Sequence, residues 1–179
     1  MSNSYFRLIV LVGISGAGKS TVAEYLAQKT SWPIVSRDTI RAAMFPTCSF
    51  TNSEKQAAFE ALLQSVSVSS KILDGCIIDG MSFSRVGELE RVLELFPQSE
   101  ELRASVKVFQ LVVPIEIAKE RAQLDWETGR HVAPFRDASF VENMSRRMRG
   151  FPEFVRQLSG EMAVHEIGNA ILKDIGWLD

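Results

Sequence analysis

The stretch Gly13-Ile14-Ser15-Gly16-Ala17-Gly18-Lys19-Ser20 limits what this chain can become more than any other. Glycine, four residues, Gly-Lys and then a hydroxyl residue is the spacing of a loop that grips phosphate. The pattern is short, so its surroundings matter. Residues 6–12, Phe-Arg-Leu-Ile-Val-Leu-Val, are apolar and β-branched, as a buried parallel strand requires. Residues 21–28 place Val22, Ala23, Leu26 and Ala27 on one helical stripe. Strand, glycine-rich turn and helix follow in the order that a phosphate site needs.

In that arrangement the backbone N–H groups of Ser15, Gly16, Ala17 and Gly18, with Lys19, Ser20 and Thr21 opening the helix, converge on an anion. The positive end of the helix adds to their pull. Glycines let the backbone approach phosphates where a Cβ would obstruct it. Lys19 is expected to bridge the β- and γ-phosphates, and the Ser20 hydroxyl to ligate Mg²⁺. The alternative is an ordinary glycine-rich turn, against which motif and context agree.

A length of 179 residues suggests one domain, 1–179, able to bury roughly 70% of its unfolded surface. A net charge of -2 exerts no overall pull toward nucleic acid or anionic membrane, although a local basic groove is compatible with it. Cys48 and Cys76 form no disulfide framework, and no metal-ligand spacing is present. His131 and His165 are too few and too far apart for a metal site, and His165 reads as a core residue of an apolar strand. No apolar run approaches about 18 residues, and signal-peptide flanks are missing, so no membrane partner and a cytoplasmic location are expected.

Further strands are expected at residues 34–36, 76–78, 106–113 and 162–167. Helices are expected over residues 39–44, 84–96, 115–126 and 138–149, from a Ser53 cap to about Leu73, and from Asn169 onward. Strands alternating with helices imply a parallel sheet covered on both faces. Ligands of such sheets sit beyond the carboxyl ends of the strands. Those ends are the loop itself, Arg37-Asp38, Asp79-Gly80 and Pro114.

Asp38 ends a strand expected beside the first, facing the phosphate site. Phosphoryl transfer needs an acceptor for the proton of the incoming hydroxyl, and Asp38 is the candidate base; capping the following helix is the competing role. Arg41, one helical turn later, would hold the acceptor or screen the developing charge. Asp79 ends an apolar strand and is the second candidate for Mg²⁺, with a plain turn carboxylate as the alternative. Residues 121–136 have the makings of a mobile cover, with Arg130 first, Arg121 next and Arg136 after them as cations for the transferring phosphoryl. Arg146, Arg147 and Arg149 read as a solvated helix face. Residues from Phe151 onward carry no chemical signal beyond completing the sheet and its cover.

The loop, Ser36-Arg37-Asp38-Thr39-Ile40-Arg41, Asp79 and the 121–136 cover together resemble the P-loop kinases related to phage polynucleotide 5′-kinase, a group that includes AAA-type kinases. The resemblance spans roughly residues 6–150. It implies a three-layer α/β P-loop kinase fold with five parallel strands, helices on both faces and an arginine-bearing lid. It also implies ATP with Mg²⁺, Asp38 as base, Arg41 on the acceptor side and a lid arginine at Arg130. The chain departs from polynucleotide kinases at Met81, where they carry Asn, and in residues 124–127 between the lid arginines; both departures fall on the acceptor side. The expected activity is ATP-dependent phosphorylation of a small-molecule hydroxyl. A polynucleotide 5′-hydroxyl is the alternative acceptor, for which Arg37, Arg41 and Arg85 supply a groove, and a non-catalytic ATP-binding module is the second alternative. A GTPase switch would need Asn-Lys-x-Asp and Asp-x-x-Gly, and neither occurs.

Overall fold

The computed structural model describes residues 6–47, 49–83, 87–96, 106–129, 137–148 and 150–178. The apolar run before the loop is strand β1 (Arg7–Val12), and it occupies the middle of the sheet. Strands β2 (Ile34–Ser36), β3 (Gly75–Asp79), β4 (Val106–Val112) and β5 (Arg156–Ser159) complete a five-stranded sheet in the order β2-β3-β1-β4-β5. Every pairing in it is parallel.

Period-two side chains explain why β1 has no polar face. Leu8, Val10 and Val12 join one core with Cys76, Ile78, Phe59, Leu62 and Val66. Ile9 and Leu11 join the other with Ile77, Phe109, Leu26 and Ile171. The first core is covered by α3 (Asn52–Ile72) and α4 (Glu88–Leu93). The second is covered by α1 (Lys19–Thr30), α5 (Ile115–Glu127), α6 (Ala138–Arg147) and α7 (Val164–Asp174). The short α2 (Arg37–Met44) follows β2 directly. Burial pushes the Cys76 thiol up to about 12, so it stays protonated at neutral pH.

The last strand lies earlier than the sequence reading placed it. Residues 156–159, Arg-Gln-Leu-Ser, form an edge strand with mostly exposed side chains and so carry little apolar signal. The apolar run near residue 164 is instead the start of α7, whose Ile167, Gly168, Ile171 and Leu172 are buried on a helical stripe. His165 is therefore exposed on a helix, not held in a core strand. The cap of α3 is Thr51, two residues before the expected Ser53, because Thr51 and Glu54 form a capping box; Thr51 Oγ1 accepts from Glu54 N at 3.2 Å and Glu54 accepts from Thr51 N at 2.7 Å. Helix α4 is capped by Gly87 and ends at Leu93, shorter than expected, and α6 ends at Arg147.

At the opposite end of the sheet from the strand tips, Trp32 meets Trp177 edge-on with ring centroids 5.1 Å apart. A Cβ on Gly75 would lie 2.6 Å from the Trp32 indole and 2.7 Å from the Arg7 carbonyl oxygen. Neither strand backbone nor indole can withdraw from it. Gly75→Ala is expected to lower unfolding free energy by about 1–3 kcal/mol, read as a shift of the urea midpoint at unchanged slope.

Candidate active site

The loop leaves β1 at Gly13 and enters α1 at Lys19, with Gly13, Gly16 and Gly18 at φ 143°, 79° and 90°. Two of these glycines answer to the protein's own backbone. A Cβ on Gly13 would meet the Leu111 carbonyl oxygen of β4 at 2.7 Å, and one on Gly16 the Ala118 carbonyl oxygen of α5 at 2.1 Å. Gly18 has open space around its missing Cβ and owes its identity to its left-handed backbone. Gly160, after β5, presses on the loop from another side, where its Cβ would meet the Ala17 carbonyl oxygen at 2.7 Å. The loop is thus gripped between β4, α5 and the turn after β5.

Lys19 is nearly buried, and its Nζ donates to the Ile14 carbonyl oxygen at 2.7 Å. The ammonium is thereby folded back over the hollow of the loop. Ser20 Oγ, in the first turn of α1, donates to Asp79 Oδ2 at the end of β3 at 2.8 Å. The other Asp79 oxygen, Oδ1, is buried and has no hydrogen-bond partner among the described residues. An orphaned carboxylate oxygen beside a hydroxyl is a donor set suited to Mg²⁺, which takes one or two protein oxygens and completes its shell with phosphates and water. Ser20 and Asp79 therefore fit the cation expected of them.

Register brings the acceptor-side residues in. The strand before Asp38 lies beside β3 and not, as expected, beside β1, because β3 inserts between them; Ser36 pairs with Asp79, so the residues that follow β2 emerge beside the end of β3. The cap of α2 is Ser36, whose Oγ accepts from Thr39 N at 3.4 Å; Asp38 lies in the first turn and is not the cap. Its Oδ2 would stand 3.4 Å from a Cβ on Gly80, next to the Asp79 corner. Asp38 is 5% exposed and Arg41 4%. Arg41 Nη2 donates to Asp38 Oδ1 at 2.7 Å, and its guanidinium carbon lies 4.5 Å from the centre of the Phe50 ring. Arg37 Nη1 donates to the buried Glu88 at 3.4 Å.

A single cavity of about 1020 Å³ runs from the loop to these residues. Its loop end holds Gly13, Ser15, Gly16, Ala17, Gly18, Lys19, Ser20 and Thr21, and its far end Asp38, Arg41, Phe50 and Lys55. Arg121 lines it from α5 and donates to the Gly160 carbonyl oxygen at 3.0 Å, which ties α5 to the turn that presses on the loop. Arg130, Arg136 and Arg85 lie outside the described residues, as do His131, Arg149 and Cys48.

Sequence reasoning passed over several residues of this cavity. Arg147, expected on a solvated helix face with Arg146, instead lines it together with Phe140, Asn143 and Met144, at helical spacing on α6, whereas Arg146 pairs with Glu142 at 2.7 Å. Gly160, Met162, Val164 and Ile167 bring the C-terminal part into the wall. The signal available for Gly160 was its place at a strand end, hidden by the polarity of β5. The spacing of Phe140, Met144 and Arg147 was the signal for α6.

A parallel sheet of order β2-β3-β1-β4-β5, with the glycine loop after its central strand, defines a nucleotide-binding protein with the P-loop kinase fold. Residues 8–147 match a family described as AAA domain, and the chain belongs to that family. No curated protein matches the sequence. Among solved structures, a gluconokinase from Sinorhizobium meliloti 1021 is similar at TM-score 0.68 and 16% identity, over 97% of this chain and 94% of that one. The APS kinase CysC of Mycobacterium tuberculosis, in complex with AMPPNP and APS, is similar at TM-score 0.68 and 11% identity, over 96% and 98%. The Pnkp1/Rnl/Hen1 RNA repair complex contains a chain similar at TM-score 0.63 and 20% identity, over 82% of this chain and 45% of that one. At these identities the likeness shows the fold.

The two kinds of loop glycine can be told apart. Gly16→Ala is expected to cost about 3 kcal/mol or more of stability, combining backbone overlap with a left-handed φ. Gly18→Ala is expected to cost only about 1–2 kcal/mol while still weakening nucleotide binding. Denaturant midpoints and nucleotide titrations on both variants check this.

Proposed function

We propose that this chain is an ATP-dependent kinase that transfers the γ-phosphoryl of MgATP to the hydroxyl of a small molecule. The observation that carries the reading is a buried carboxylate, Asp38, in the same cavity as the phosphate loop, its strand separated from that of the loop by β3. A protein that only holds nucleotide has no use for such a group. No helix among the described residues is long and apolar enough to cross a membrane, and the enzyme is assigned to the cytoplasm, where its thiols stay reduced.

Nucleotide entry draws Lys19 away from the Ile14 carbonyl and onto the β- and γ-phosphates, with the loop N–H groups around them. Ser20 and Asp79 would hold Mg²⁺, which when bound would neutralise charge on the phosphates. Asp38 accepts the proton of the attacking hydroxyl, an effect of about 10²–10⁴-fold in rate. Arg41 faces the acceptor. Arg121 and Arg147 line the cavity, where guanidinium groups stabilise the charge that spreads over the transferring phosphoryl, and Arg130 is proposed for the same role. The whole of residues 1–179 acts as one kinase domain, with a lid at about 121–136.

The volume of about 1020 Å³ is at the upper end for ligand sites and suits two substrates together. The net charge of -2 favours a small acceptor over a polynucleotide 5′-end.

Lys19→Ala is expected to lower ATP turnover by about 10²–10³-fold, and unchanged turnover would refute the kinase reading. Asp38→Asn is expected to lower kcat by about 10²–10⁴-fold with ATP affinity nearly intact. Equal loss of both would make Asp38 a structural residue.

A further inference from the structure

Of the buried acids among the described residues, Asp38, Asp79 and Glu88, only Glu88 has no part in the transfer chemistry. It opens α4 behind the Gly87 cap and is 8% exposed. An acid in a first turn gains from the helix dipole, but that gain does not require burial or a cavity. Glu88 has both. Arg37, the first residue of α2, donates from Nη1 to its Oε1 at 3.4 Å, and both side chains line the cavity. The pair ties the helix after β2 to the helix after β3.

The end of the cavity away from the loop carries Arg37, Asp38, Arg41, Lys55 and Glu88. Arg41 is matched by Asp38 and Arg37 by Glu88, so two of its three cations meet their counter-charge within the protein. Met81, fully buried, and Ser82 line the wall between the Asp79 corner and Glu88 and add no charge. An anion that approaches Arg37 therefore meets a carboxylate already beside it. Like charges about 5 Å apart in a partly buried place repel strongly enough to cost about tenfold or more in affinity. A neutral hydroxyl meets no such opposition, because it accepts from the guanidinium and donates to the carboxylate. Resting on the kinase reading above, we propose that Glu88 is a specificity-determining residue that closes the Arg37 corner to anions. The acceptor then presents neutral hydroxyls there, as a sugar or polyol does. A phosphate beside the acceptor hydroxyl, as at a polynucleotide 5′-end, is refused.

The test is a calorimetric titration of inorganic phosphate, and of a 5′-hydroxyl dinucleotide, into protein whose phosphate loop is filled with Mg²⁺ and a non-hydrolysable ATP analogue. Glu88→Gln removes the charge and keeps the shape. It leaves Arg37 without its counter-charge and is expected to bind both probes about tenfold more tightly than wild type. The double variant Arg37→Gln/Glu88→Gln is neutral at both positions and is expected to return to wild-type affinity within about twofold. A loosened fold does not tighten binding, so the gain separates this role from a structural one. If Glu88→Gln is too unstable to titrate, phosphate is expected to raise its unfolding midpoint by more than that of wild type or the double variant. A Glu88→Gln variant that binds phosphate no better than wild type, or worse because Glu88 serves to aim Arg37 at an anion, would overturn the proposal. So would a double variant that keeps the gain. Saturable phosphate binding in wild type that is lost in Lys55→Gln would overturn the neutral acceptor. The kinase reading is tested separately, by turnover in Lys19→Ala and Asp38→Asn, and the sign of the Glu88→Gln effect depends on neither.

Discussion

Ser20 Oγ and Asp79 Oδ2, 2.8 Å apart, join the first turn of α1, which follows the loop after β1, to the end of the adjacent strand β3. That hydrogen bond exists because β1 lies between β3 and β4, while the chain leaving β1 must first travel to β2 at the sheet edge. Neighbouring strands whose connections depart in opposite directions open a crevice at their carboxyl ends. The loop, the Asp79 corner and the start of α2 all meet there. Shift the register of β3 by one residue and Asp79 turns to the other face of the sheet, taking the hydroxyl's partner with it.

The same crowding shapes the loop. Leu111, Ala118 and Ala17 each present a carbonyl oxygen where a Cβ on Gly13, Gly16 or Gly160 would stand. Glycine at these positions serves close approach of backbone to backbone, and the result is a loop fixed before any ligand arrives. Fixed N–H groups need little reorganisation when charge develops near them, the condition under which electrostatic stabilisation is most effective. Arg121, bonded to Gly160, extends that bracing to the helix leading into the cover.

Much of this was legible in the sequence, for physical reasons that differ by residue. Central strands such as β1 and β3 are buried on both faces, so their apolar runs are unmistakable, and the residues after them could be named as candidates that the fold brings to one cavity. Edge strand β5 is mostly exposed and reads as a polar stretch, which moved the expected last strand onto the start of α7 and hid Gly160. Two caps were misplaced by two residues because Asp38 and Ser53 are as good cap formers in isolation as Ser36 and Thr51. The engagement of Asp38 by Arg41 was not legible at all. Spacing of three residues on a helix permits that pair, but its burial is set by packing that joins distant parts of the chain, Phe50 among them.

A buried carboxylate opposite a braced phosphate loop is the arrangement on which the kinase account stands. Its most direct test is transfer from γ-labelled ATP, with Mg²⁺, into a small-metabolite filtrate and, separately, into a 5′-hydroxyl oligonucleotide. The account predicts a labelled phosphate monoester in the filtrate with the wild-type chain and none with Asp38→Asn. Label appearing only as inorganic phosphate, at equal rates in both proteins, would contradict it.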